Sequence, residues 1–118
     1  MGVGGECWGR WGCMTAGRRE PGTTLVTIAL ARAAGVRHII EEGREGGLTA
    51  MMYSMHGLRV TSVEYAPLED VEHGLQALAP DVVRINGDGS RLLPELVANM
   101  SDAQAAETAV FFDGAKAY

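Results

Sequence analysis

Arg37-His38-Ile39-Ile40-Glu41-Glu42-Gly43-Arg44-Glu45-Gly46-Gly47-Leu48-Thr49-Ala50 is the stretch from which the rest of the chain is best read. It runs from a short apolar strand through an acidic residue and a glycine turn into the start of a helix. Glycines suit such a turn because the backbone must bend sharply, take positive φ and approach a ligand with no Cβ in the way. The acid at the strand end then faces the same crevice, and the stretch has the form of a nucleotide-binding loop. Any strand-turn-helix of an α/β protein can carry the same pattern, so its meaning depends on the residues downstream of Ala50.

The 118 residues are 47% hydrophobic and 21% charged, enough for one small domain with a core and too few for two. A net charge of -5, with 10 scattered basic residues, argues against a nucleic-acid surface, which needs clustered Lys and Arg. Cys7 and Cys13 are separated by five residues and fit neither a redox pair nor a zinc knuckle. No apolar run approaches the roughly 18 residues of a membrane span, and the given N-terminus lacks a charged start followed by an apolar core. A cytoplasmic protein with no membrane partner is expected.

Residues 1–22 contain seven glycines, from Gly2 to Gly22, beside Trp8 and Trp11. Ordering so many glycines is entropically costly, so a flexible arm is expected there and a single domain over residues 23–118. Thr23 or Thr24 caps a helix to about Ala34, with Leu25, Ile28, Ala29 and Arg32 at helical spacing. After Gly47, the residues Leu48, Met51, Met52 and Met55 form a helical stripe expected to be buried, ending at Gly57. Arg59 to Glu64 alternates and is β-branched, a second strand closing on an acid. Leu68, Val71, Leu75 and Leu78 mark the next helix, with Glu69, Asp70 and Glu72 near its N-terminus, where the helix dipole favours them.

A third strand covers Val82 to Asn86, followed by the turn Asn86-Gly87-Asp88-Gly89-Ser90. A helix then starts at Ser90 or beside Pro94 and runs toward Asn99. Ser101 to Glu107 reads as a polar surface connection, and Ala109 to Asp113 as a fourth strand. Regular alternation of strand and helix implies parallel strands joined by right-handed crossovers. The fold class is therefore α/β, a Rossmann-like open parallel sheet of about four strands with helices on both faces.

Ligands of such sheets bind beyond the carboxyl ends of the strands, where the strand order reverses. Glu41, Glu64, Asp88 and Asp113 all fall at proposed strand ends and would share one rim. Glu64 follows Gly43 by 21 positions, where a carboxylate can accept from both hydroxyls of a ribose, and it also reads as a solvated strand-end acid. Asp88 reads equally as an Asx turn. The glycines fall at Gly43, Gly46 and Gly47, with Glu45 where the dinucleotide fingerprint has its second glycine, so a pyrophosphate would meet a carboxylate. His38, His56 and His73 have no ligand spacing and read as surface or helix-end residues. No nucleophile elbow, Walker loop or zinc-protease helix occurs.

The loop resembles the first motif of class I S-adenosylmethionine-dependent methyltransferases, E/D-x-G-x-G-x-G, on which Glu41, Gly43 and Gly47 match while Glu45 replaces the middle glycine. In that family the loop cradles the amino acid part of the cofactor. The resemblance implies that Glu41, Gly43, Gly46 and Gly47 form the binding loop and that Glu64 holds the ribose. Asp88 and Gly89, similar to the family's Gly-Asp-Ala or Gly-Asp-Ser motif, would lie near the adenine. The tail from Phe111 to Tyr118 resembles the Ile-Asp-Ala-Asp-Lys stretch of catechol-type and caffeoyl-coenzyme-A-type O-methyltransferases. There the first Asp holds a divalent cation, a hard ion suited to oxygen ligands, and the Lys assists deprotonation of the acceptor hydroxyl.

By that resemblance Asp113 and Lys116 are the catalytic candidates, acting on a small-molecule hydroxyl. Ala115 replaces the second Asp, and the family's other metal ligands come from beyond residue 118, so by the resemblance a divalent cation is possible but has no further support in the sequence, and no metal ligand is assigned. Asp113 and Lys116 read also as a strand-end ion pair. The resemblance covers residues 23–118, and the family's sheet has seven strands. The expectation is the cofactor-binding half of a methyltransferase. Two alternatives stand beside it. One is a fragment of an NAD(P)-binding oxidoreductase, disfavoured by Glu45 and the glycine spacing. The other is a catalytically inactive Rossmann-like interaction module that forms a homodimer through the exposed edge of its fourth strand.

Overall fold

The computed structural model of the chain describes residues 21–44 and 47–112. The arm expected over residues 1–22 lies outside them save for its last two residues, as do Glu45, Gly46, Asp113 and Lys116. The elements in chain order are α1 (Pro21–Ala33), β1 (His38–Glu42), α2 (Leu48–Met55), β2 (Arg59–Glu64), α3 (Glu69–Leu78), β3 (Val83–Asn86), α4 (Gly89–Ala98), α5 (Asp102–Ala106) and β4 (Thr108–Phe112).

Two boundaries correct the sequence reading. The described part of α1 starts at Pro21, so Thr23 and Thr24 lie inside the helix and do not cap it. Residues 101–107 hold a short helix where a surface connection was expected. The Ser101 hydroxyl accepts from the Gln104 N–H, and the Gln104 side chain accepts from the Ser101 N–H. This capping box satisfies two donors that would otherwise be exposed at a helix start.

The four strands form one parallel sheet in the order β3-β2-β1-β4. Successive strands step from β1 to β2 to β3, and the chain then crosses back through α4 and α5 to place β4 on the other side of β1. The strand order therefore reverses between β1 and β4. Register aligns Ile40 with Thr61 and Val110, and Glu41 with Ser62 and Phe111.

Both faces of the sheet are covered, as two-residue alternation along β1 requires. Ile39 and Val60 pack with Ile28 of α1, Ala50 and Tyr53 of α2, and Val71 and Leu75 of α3. Ile40 and Val63 pack on the opposite side with Leu93 of α4, flanked by Leu92, Leu96 and Val110. Tyr53 stacks on Phe111, with ring centroids 6.1 Å apart.

The expected methionine stripe is only partly buried. Ala50 and Tyr53 carry the buried side of α2, Met51 and Met52 are half-buried, and Met55 is 68% exposed. Rotation of α2 is fixed at its first turn by Gly47, which has φ +79°. A Cβ there would stand 3.0 Å from Val71 Cγ1 and 3.2 Å from Leu75 Cδ1. Leu25 and Leu78, which share the helical spacing of their neighbours, are exposed.

Gly47→Ala must strain a left-handed backbone and press a methyl against α3. We expect a loss of about 1–3 kcal/mol in urea unfolding, with the slope of the transition unchanged. His38 gives a second test. Its Nε2 lies 2.9 Å from Thr61 Oγ1, and burial, followed by the charge of Arg59, holds the imidazole below its ordinary value. The unfolded chain therefore takes up a proton below about pH 6.5 that the folded chain resists, so stability from this group is complete above that pH and declines as the pH falls below it. Urea midpoints measured from pH 7.5 to pH 5 should decline less in His38→Gln than in the parent chain.

Candidate functional site

The glycine turn sits where the sheet topology puts a ligand crevice, beyond the carboxyl end of β1 and beside the reversal of strand order. Gly43 takes φ +100° and donates its N–H to Val63 O at 2.8 Å, which ties the first residue of the turn to β2. Gly47 closes the described part of the turn as the left-handed N-cap of α2. Between them Arg44 is 2% exposed, the largest fully buried side chain among the described residues.

Arg44 is held by three elements at once. Nε donates to Glu72 Oε2 at 2.8 Å, Nη1 to Ser62 O at 2.7 Å and Nη2 to Asn86 Oδ1 at 2.6 Å. The guanidinium thus joins the turn after β1 to the backbone of β2, the end of β3 and the first turns of α3. Glu72 also receives Arg84 of β3, through its carboxylate at 3.5 Å and its backbone carbonyl at 2.9 Å. Nothing in the hydrophobic periodicity singled out Arg44 or paired it with Glu72. The only signal was an arginine inside a glycine turn of an acidic chain.

The acids divide into two kinds. Glu41 and Glu42 are both buried on the last two positions of β1 and point to opposite faces. Glu41 accepts a short hydrogen bond from the Ser62 hydroxyl on the next strand. Glu42 lies against the start of α4: a Cβ on Gly89 would fall on its Cγ and stand 3.0 Å from Oε2. Gly89 therefore lets a buried carboxylate reach a helix N-terminus, where negative charge is favoured.

Glu64 and Asp88 lie nearer to solvent. Glu64 ends β2, is half-buried, and accepts from the Ala66 N–H at 3.0 Å. Asp88 is the N-cap of α4 and accepts from the N–H and the hydroxyl of Ser90, at 2.9 and 2.7 Å. Those bonds hold its carboxyl below the usual carboxylate value, so it stays ionised. β3 itself ends at Asn86, whose amide serves Arg44. The expected alignment of acids at strand ends holds at the described ends of β1 and β2, while Asp88 follows β3 by two residues.

Of the residues singled out in the sequence, the fold brings the turn residues Gly43 and Gly47 together with Glu41, Glu64, Asp88 and Gly89 at the carboxyl end of one sheet. Gly46, Asp113 and Lys116 lie outside the described residues. Among the described residues no group of three or more His, Cys, Asp and Glu side chains is arranged to hold a metal ion. No described helix is long and apolar enough to cross a membrane. Comparison of the chain with protein-family models and with curated proteins finds no match to either.

Glu72 neutralises a guanidinium that is otherwise enclosed. Glu72→Gln is expected to lower stability by about 3 kcal/mol, because removing one member of a buried pair leaves the other charge uncompensated. Glu69→Gln, on the exposed side of the same helix turn, should change stability by less than about 0.5 kcal/mol. Chemical denaturation of the two variants in parallel distinguishes the tie from a general effect of acid removal.

Proposed function

We propose that the chain binds S-adenosylmethionine at the carboxyl ends of β1, β2 and β3 and is the cofactor-binding half of a methyltransferase acting on a small-molecule hydroxyl. One observation carries the reading. A positive-φ glycine turn follows β1 beside the reversal of strand order, and the half-buried Glu64 ends the neighbouring β2. A carboxylate at that strand end is suited to the two hydroxyls of a ribose.

The donor set fits this group better than a dinucleotide. Glu64 and Asp88 give the rim a negative character, with Glu41 and Glu42 buried beneath it. Such a rim favours the sulfonium and ammonium charges of S-adenosylmethionine and opposes a pyrophosphate. In this assignment Gly43 and Gly47 shape the loop beside the amino acid part, with Gly46 between them, and Glu41 supports the loop from below through Ser62. Asp88 and Gly89 lie near the base. The bound cofactor supplies the methyl group, and the chain contributes position and orientation, which is where most of the rate of such transfers arises. Asp113 and Lys116 are assigned to the acceptor side by resemblance alone.

A second reading has its own observation. Among the described residues β4 is an edge strand of Thr108-Ala109-Val110-Phe111-Phe112, without charge or proline, and Phe112 is 66% exposed. It borders an apolar hollow of about 360 Å³ lined by Leu93, Pro94, Val97, Val110 and Phe112 among others. Uncharged edges invite pairing, so an interaction module that dimerises through β4 is the alternative.

Calorimetric titration with S-adenosylhomocysteine separates these readings. The parent chain should bind in the micromolar range, and Glu64→Ala should bind about 10-fold or more weakly, the usual cost of hydrogen bonds to a charged group. NADH should not compete. A folded chain that binds no S-adenosylhomocysteine but sediments as a dimer would replace the enzyme reading with the interaction module.

A further inference from the structure

The opposite end of the sheet carries a polar hollow that the proposed cofactor site does not use. It has a volume of about 320 Å³ and is lined by Arg32, Gly35, Val36, Arg37, Gly57 and Leu58. Three arginines gather at this end of the molecule, with Glu107 beside one of them. Arg37 and Arg59 stand at the amino ends of β1 and β2, and Arg32 in the last turn of α1, while the strand-end acids lie at the other pole. In a chain of net charge -5, a hollow bounded by two arginines is a local exception.

Arg32 is not consumed by its own helix end. The last carbonyls of α1 are taken by backbone N–H groups, Ala34 to Leu30, Val36 to Ala31 and Gly35 to Arg32, at 3.0, 2.8 and 3.0 Å. α2 closes in the same way, with Gly57 donating to Ser54 O and Leu58 to Tyr53 O, both at 3.1 Å. Both helix ends that face the hollow are therefore capped by backbone.

Arg32 Nη2 lies over Gly57, 3.3 Å from where a Cβ would stand, and the guanidinium has no hydrogen-bonding or acidic partner among the described residues. Arg37 makes one long contact, 3.6 Å from Nε to Glu107. Two forked donors thus border one concave space, an arrangement that matches the geometry of a phosphate or carboxylate.

We infer that this hollow binds a small organic oxyanion, a phosphate or carboxylate group carried on a small molecule, with Arg32 as its principal contact and Arg37 as the second. The volume lies within the range of small-molecule pockets and exceeds what an inorganic anion alone would occupy. The inference stands apart from the proposed cofactor site, which lies at the other pole.

The test is titration with glycerol 3-phosphate at constant ionic strength, followed through the arginine side-chain NMR signals. Saturable binding is expected, displaced by excess inorganic phosphate but not by equal ionic strength of chloride. Arg32→Gln should weaken it 10-fold or more and Arg37→Gln about 3-fold. Arg91→Gln, at a surface arginine on α4 beside Glu95, should leave it unchanged. Arg32 is exposed, so its variant should keep the parent circular dichroism. No saturable binding, or equal weakening in all three variants, would overturn the site.

Discussion

A single enclosed guanidinium governs the architecture of the carboxyl pole. Arg44 reaches from the glycine turn to a carbonyl of β2, an amide at the end of β3 and a carboxylate on α3, so four segments distant in sequence share one set of hydrogen bonds. Charge-assisted bonds of this kind are short and directional, and a buried charge allows little freedom because any lost partner exposes a large desolvation cost. Gly43 and Arg44, at the start of the turn after β1, are therefore held by bonds to the neighbouring elements. Glu72 secures the arrangement from the helix side, since it also receives Arg84.

Glycines around this pole serve packing as well as conformation. Gly47 allows α2 to start against Val71 and Leu75, and Gly89 allows α4 to start against the buried Glu42. Gly47 brings the start of α2 against α3, and Gly89 brings the start of α4 against β1. Close helix–strand packing is one function of glycine in nucleotide-binding turns, so the Gly89 contact is compatible with a cofactor crevice without depending on one. Gly43 differs from both, with its positive φ and its bond to Val63 at the mouth of the turn.

Period and punctuation made the fold legible in the sequence. Isoleucines at 39 and 40 imply a strand buried on both faces. Alternation from Arg59 and helical spacing at Val71 and Leu75 imply the next elements, and their repetition leads to a parallel sheet. What periodicity could not supply was contact between elements. Arg44 and Glu72 are 28 residues apart and joined only by topology, so each looked like an ordinary loop or helix-end charge. The exposed Met55 and Leu78 show the same limit, because helical spacing marks a stripe without saying how far along it the neighbouring layer extends. Ser101 and Gln104 carried a local signal, the capping box, and the alanine-rich stretch around them concealed it.

The poles of the sheet differ, with strand-end acids and tight turns around the enclosed Arg44 at one end and exposed arginines and backbone-capped helix ends at the other. Function at the acidic pole is the central claim, and amide chemical-shift mapping tests it most directly. Adding S-adenosylhomocysteine should move the signals of Gly43, Gly47, Glu64 to Ala66 and Asn86 to Gly89 while leaving those of α1 and the Arg32 pole in place. Unchanged spectra from a folded chain, or shifts confined to α4 and β4, would contradict it.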